Sequence, residues 1–132
     1  MSCVGSDSNG AATIENFQAV GVDPVGVTTS KNRPTGVAPI TVDSNGRNSI
    51  VVVMGANDEL TPEQIETNRE LIRESKLVLL QLEIPIATSL AALEIARQEG
   101  VPTVLNTAPA REVVEIFGSR PSSEMYFAGA AR

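Results

Sequence analysis

Leu77-Val78-Leu79-Leu80-Gln81-Leu82-Glu83-Ile84-Pro85 is the stretch on which the reading of the fold turns. Five of its first six positions are apolar, the pattern of a strand buried on both faces of a parallel sheet. A carboxylate follows, and then a helical pattern over Ala87 to Glu99. Ligands of open α/β sheets bind beyond the carboxyl ends of the strands, so Glu83 stands where a polar group can meet one. The alternative is that Glu83 only favours the positive end of the next helix, an effect of about 0.3–1 kcal/mol. Position alone leaves both open.

Working outward, the helix from Ala87 is expected to bury Leu90, Ala91, Leu93 and Ile95. Gly100 ends it, and Pro102 prevents its continuation. Thr103-Val104-Leu105-Asn106 reads as a second strand. Strand, helix and strand from 77 to 106 make a βαβ unit with a right-handed crossover and parallel strands. Asn106 therefore shares a sheet end with Glu83, although asparagine at a loop entrance also serves turns. Upstream, Thr61 caps a helix with Pro62 at its first position. Gln64 completes a capping box, and Leu60 and Ile65 have staple spacing. That helix is expected to run to about Glu74, with Ile65, Leu71 and Ile72 inward and Glu63, Glu66, Glu70 and Glu74 in solvent.

The first half begins with a strand end at residues 1–4 and a turn over Gly5 to Gly10. A helix over 11–19 follows, with Ile14, Phe17 and Val20 on one face and Gly21 as its stop. Val27 to Ser30 is a short strand. Thr35 to Asp43 and Ser49 to Met54 read as a hairpin closed at Asn45-Gly46, with Pro39 favouring an edge because it cannot donate to a ladder. Gly55-Ala56-Asn57 reads as a plain turn, with a hinge or ligand loop as the alternative. Gly5 and Gly10 have phosphate-loop spacing, but no Gly-Lys-Ser/Thr follows.

Composition narrows the chemistry. The 132 residues carry 42% apolar and 20% charged side chains, as globular domains do. A net charge of −6 disfavours nucleic acid, whose phosphates need clustered Lys and Arg. No apolar run reaches the roughly 18–20 residues of a membrane span, and no secretory pattern opens the chain, so a cytoplasmic location is expected. With no histidine and one cysteine, His-based triads, His metal sites and an internal disulfide are excluded. Carboxylates, amides, hydroxyls and backbone groups remain.

A family resemblance rests on several short segments in order. They are Val4-Gly5-Ser6-Asp7-Ser8-Asn9-Gly10, Pro34-Thr35-Gly36-Val37-Ala38, Asn45-Gly46-Arg47-Asn48-Ser49-Ile50, Gly55-Ala56-Asn57, Gln81-Leu82-Glu83, and Leu105-Asn106-Thr107-Ala108-Pro109-Ala110-Arg111. Over roughly residues 1–113 they resemble the central part of the ribokinase family of carbohydrate kinases. Gln-Leu-Glu together with Asn-x-Ala-Pro-Ala favours that family over fructokinases or adenosine kinases. Thr107 stands where the family usually has proline.

The resemblance implies an α/β fold, a partial ribokinase-like one: a mainly parallel sheet with flanking helices plus a small β lid hairpin. Residues 1–34 would start the α/β domain, 35–57 form the lid hairpin and hinge, 58–117 continue the α/β domain, and 118–132 form a divergent, mobile tail. Glu83 would hydrogen-bond a hydroxyl of D-ribose, while Ala38, Ile40 and Ile50 would cover the sugar. ATP, magnesium and a monovalent cation (potassium) are implied as cofactors, and a homodimer through the lid as the assembly. The family's catalytic aspartate in Gly-Ala-Gly-Asp and its Asn-x-x-Glu motif do not occur in these 132 residues. The expectation is a truncated kinase with no catalytic residue, inactive alone. The alternatives are a non-catalytic lid-bearing fragment that dimerises with the full-length enzyme, or another sugar or nucleoside kinase of the same fold.

Overall fold

The computed structural model describes residues 1–107 and the backbone of 125–128, and its chain divides into two compact units, Met1–Glu59 and Leu60–Arg132.

In the first unit, β1 (Ser2–Gly5) pairs in parallel with β2 (Val27–Ser30), and the crossover carries α1 (Ser8–Ala19). Cys3 and Val4 are buried. The helix starts three residues earlier than its apolar pattern suggests because Asp7 caps it, Oδ1 accepting from the Gly10 N–H at 2.9 Å. The hairpin comprises β3 (Ile40–Val42) and β4 (Asn48–Ile50), antiparallel, with Ile40 opposite Ile50. Val37 bridges Val53 in the same register, through amide bonds of 3.0 and 2.9 Å. Both strands are shorter than expected. Pro39 accepts from the Val51 N–H at 3.1 Å but has no N–H to return, so the ladder breaks between Val37 and Ile40.

The hairpin turn is wider than a two-residue Asn-Gly turn. The Gly46 N–H donates to the Asp43 carbonyl and the Asp43 N–H to the Arg47 carbonyl, with Gly46 at φ +78°. This is a three-residue loop closed by a left-handed glycine. Asp43 Oδ1 accepts from the Asn45 and Arg47 N–H groups at 2.8 and 2.9 Å, and its carboxyl is held below its ordinary pKa by Arg47 first. A 3-10 turn, Gly55–Glu59, follows with Ala56 fully buried, which fits the plain-turn reading of Gly55-Ala56-Asn57.

The second unit holds α2 (Pro62–Thr67), α3 (Arg69–Arg73), β5 (Val78–Leu80), α4 (Ile86–Glu99), β6 (Thr103–Asn106) and β7 (Met125–Ala128). Its sheet runs β5-β6-β7, all parallel. The capping box at Thr61 and Gln64 is present, and Leu60 and Ile65 are both buried. The single helix expected to Glu74 is instead two, divided at Asn68. Thr67 Oγ1 and Asn68 Nδ2 bond back to the Glu63 and Gln64 carbonyls, both at 2.8 Å, and such back-bonding competes with the helical ladder. Gly100 closes α4 in the left-handed conformation, and the Val101 N–H reaches back to the Ala96 carbonyl at 2.8 Å. Ala92, Leu93, Ile95 and Ala96 are buried, whereas Leu90 and Ala91 are only half-buried.

A strand buried on both faces is not what forms at 77–82. β5 is three residues long and lies at the edge of its sheet; Leu80 is buried but Leu79 is 70% exposed and Leu77 is exposed. The apolar run describes a strand with neighbours on both sides and both faces, and β5 pairs only with β6 among the described residues. The mainly parallel sheet expected is present as two pieces, β1-β2 and β5-β6-β7. Within 118–132, where a mobile tail is expected, Met125–Ala128 forms β7; the other residues of that segment lie outside the described ones.

Two predictions follow from the packing. Ser89 Oγ on α4 is fully buried without a hydrogen-bond partner among the described residues. A buried unpaired hydroxyl costs about 1–3 kcal/mol, so Ser89→Ala is expected to raise the thermal unfolding midpoint; an unchanged or lower midpoint contradicts the assignment. Asp7 is held below its ordinary pKa by Thr35 first and then by Gly10. Its contribution is present above the unfolded carboxylate value, about pH 3.9, and is lost as pH falls through the lower folded value. Urea unfolding across acid pH is expected to show a smaller loss of stability in Asp7→Asn than in wild type.

Candidate functional site

In the second unit the site is built on the ends of two parallel strands. Leu80 is in register with Leu105, so the chain after β5 and the last residue of β6 leave the sheet at the same end. Residues 81–85 form the loop from β5 to α4. Leu82, 1% exposed, pins it from beneath, while Glu83 on the next residue stays half-buried and open to solvent. Glu83 Oε2 accepts from Gln81 Nε2 at 2.7 Å, an amide that itself faces solvent. No side chain caps α4, whose cap position is Pro85. Glu83 is thus held by a neighbouring amide and not by the helix, with acceptor capacity left for a ligand hydroxyl. Asn106, half-buried, closes β6 at the same end and is engaged in interactions of its own.

In the first unit, Ala38, Ile40 and Ile50 stand on the hairpin. Directly opposed residues of an antiparallel pair point to one face, so Ile40 and Ile50 form a cross-strand pair. They are 59% and 51% exposed. Ala38, two residues before Ile40, is exposed as well. Val37, Val42, Val51, Val52 and Val53 are also exposed, so both faces of the ribbon present apolar side chains. Such a surface is suited to covering something and expelling water from it.

One group of polar residues was missed by sequence reasoning. Asp7 not only caps α1: Oδ1 also accepts from Thr35 Oγ1 at 2.7 Å, and Oδ2 accepts from the Thr35 N–H at 2.8 Å. Thr35 Oγ1 in turn accepts from the Gly5 N–H at 2.9 Å. The signal for the cap was Asp7 ahead of a helical pattern; the tie to Thr35 spans 28 residues and has no local signature. These bonds also occupy the N–H groups of Gly5 and Gly10, so that glycine pair is not a phosphate cradle. Among the described residues no three Asp, Glu or Cys side chains gather as metal ligands would, and no helix is long and apolar enough to cross a membrane.

Comparison with known proteins agrees with this architecture. Residues 1–118 match the pfkB family of carbohydrate kinases. The chain is 39% identical over 112 residues to a bifunctional ribokinase/ribose-5-phosphate isomerase A of Fructilactobacillus sanfranciscensis, covering 85% of this chain and 21% of that protein. It is 37% identical to a deoxyribokinase of Salmonella typhi, over 81% of this chain and 35% of the relative. An Arabidopsis thaliana ribokinase solved with ribose and ATP superposes with a TM-score of 0.75 at 32% identity, over 82% of this chain and 36% of that one. The chain belongs to the pfkB family of carbohydrate kinases and has a partial ribokinase-like α/β fold. It spans between a fifth and somewhat over a third of the lengths of these proteins.

A half-buried carboxylate that meets a single neighbouring amide contributes little to the fold that carries it. Glu83→Ala is therefore expected to change folding stability by no more than about 0.5 kcal/mol, as surface substitutions do. Urea unfolding of both forms checks this; a loss well beyond that value would make Glu83 a structural residue.

Proposed function

We propose that this chain supplies the sugar-facing part of an ATP-dependent kinase that phosphorylates the 5-hydroxyl of D-ribose. The observation that carries the reading is Glu83: a half-buried carboxylate beyond the carboxyl end of β5, held by Gln81 and beside the end of β6. A carboxylate accepts hydrogen bonds from sugar hydroxyls, and a charged acceptor contributes about 1.5–3 kcal/mol per bond. Ala38, Ile40 and Ile50 would form the apolar cover. Excluding water strengthens the electrostatics of a closed site and suppresses transfer of phosphate to water. The exposed apolar ribbon would also supply a contact between two copies.

Phosphoryl transfer rests on positioning and on stabilising charge at the transferred group. ATP, magnesium and potassium would serve that half of the reaction. The described residues do not fit them: the glycine N–H groups at 5 and 10 are engaged internally, and no acidic cluster stands ready for a cation. The role proposed for these residues is therefore to bind and cover the sugar.

A second reading is favoured by the Salmonella typhi relative, whose name specifies deoxyribose and whose identity to this chain is close to that of the ribokinase-containing relative. Calorimetric titration separates the two. D-Ribose is expected to bind the chain, 2-deoxyribose to bind more weakly, and Glu83→Ala to weaken ribose about tenfold or more, the equivalent of ~1.4 kcal/mol. Tighter binding of 2-deoxyribose would select the second reading, and ribose affinity unmoved by Glu83→Ala would remove Glu83 from the site.

A further inference from the structure

We propose that Asp7 and Thr35 form a clamp that positions the root of the hairpin, a task separate from the capping of α1. The proposal deepens the lid reading above and takes its functional meaning from it.

Capping α1 requires one acceptor, and the Gly10 N–H uses it. Asp7 nevertheless accepts two further bonds, both from Thr35, and Thr35 Oγ1 returns one from Gly5 at the end of β1. Four bonds among Gly5, Asp7, Gly10 and Thr35 thus fix the first stem of the hairpin to the strand and helix behind it. The second stem is held close by: the buried Ala56 donates its N–H to the Pro34 carbonyl at 2.8 Å, and Arg33 pairs with Asp58 at 2.9 Å.

Immediately beyond the clamp the restraint ends. A side chain at Gly36 would meet the Met54 carbonyl oxygen at 2.6 Å, and one at Gly55 would run into Pro34 and Gly36. The two stems therefore pass each other backbone to backbone, with the Asn57 side-chain amide also beside Gly36. From Val37 to Val53 nearly every residue is exposed, and the ladder bonds join the ribbon only to itself. The arrangement is a fixed root, a close crossing at Gly36 and Gly55, and an exposed ribbon beyond it. Loss of the clamp should loosen the ribbon without unwinding α1.

Asparagine caps helices about as well as aspartate. Asp7→Asn therefore keeps the cap while placing an amide NH₂ against the Thr35 N–H, where no bond can form. Amide hydrogen exchange of the full chain, with no sugar present, reads the outcome. At Val37 and Val53 exchange is expected to speed up about tenfold or more, the scale of one hydrogen bond to a charged group, while the α1 amides keep their wild-type rates. Thr35→Val should reproduce the effect without touching the cap, and Thr35→Ser, which retains the hydroxyl, should restore protection. Equal acceleration in α1 and the hairpin would reduce the network to general stabilisation; unchanged rates at Val37 and Val53, or no difference between Thr35→Ser and Thr35→Val, would remove the clamp. A negative result leaves the ribose reading of Glu83 standing, and failure of ribose to bind leaves the clamp standing.

Discussion

Parallel strand pairing is the constraint from which the rest follows. Parallel neighbours cannot be joined by a tight turn, so the chain crosses back over the sheet through a helix. Among the described residues two such crossings are seen, through α1 between β1 and β2 and through α4 between β5 and β6. Each crossing places a loop at the carboxyl end of its first strand, and each of those loops carries a carboxylate, Asp7 after β1 and Glu83 after β5. The two acids then diverge by surroundings. Asp7 is consumed by donors from Gly10 and Thr35. Glu83 meets one amide and keeps acceptor capacity.

That contrast separates a carboxylate engaged on both oxygens from one that meets a single amide. A carboxylate with several donors is drawn below its ordinary pKa, as Asp7 is, and removing it disturbs what it ties together. Glu83 is half-buried and follows the buried Leu82 in the loop after β5. The hairpin adds the complementary property, an apolar ribbon with little of its surface covered by the unit that bears it. The polar acceptor belongs to the second unit and the apolar ribbon to the first.

Features set by neighbours in sequence were legible beforehand. The capping box at Thr61 and Gln64, the hairpin closed near Asn45-Gly46, the stop at Gly100 and the parallel pairing of 78–80 with 103–105 all follow from local chemistry or periodicity. What escaped depends on distant or competing partners. The apolar run at Leu77 cannot say how many strands will flank it, and Leu79 is exposed on an edge strand. Thr67 and Asn68 divide a helix that periodicity alone carries through. The hold of Asp7 on Thr35 joins two motifs that were each visible but whose contact no spacing rule connects. The placing of Glu83 beyond the end of β5 was legible; the Gln81 amide that it meets was not.

The central claim is that Glu83 faces a sugar. A crystal structure of the chain grown with D-ribose tests it most directly. The account predicts a ribose hydroxyl within hydrogen-bond distance of a Glu83 carboxylate oxygen, at the carboxyl ends of β5 and β6. Ribose bound elsewhere, or Glu83 turned onto the first amides of α4 with no sugar beside it, would contradict the account.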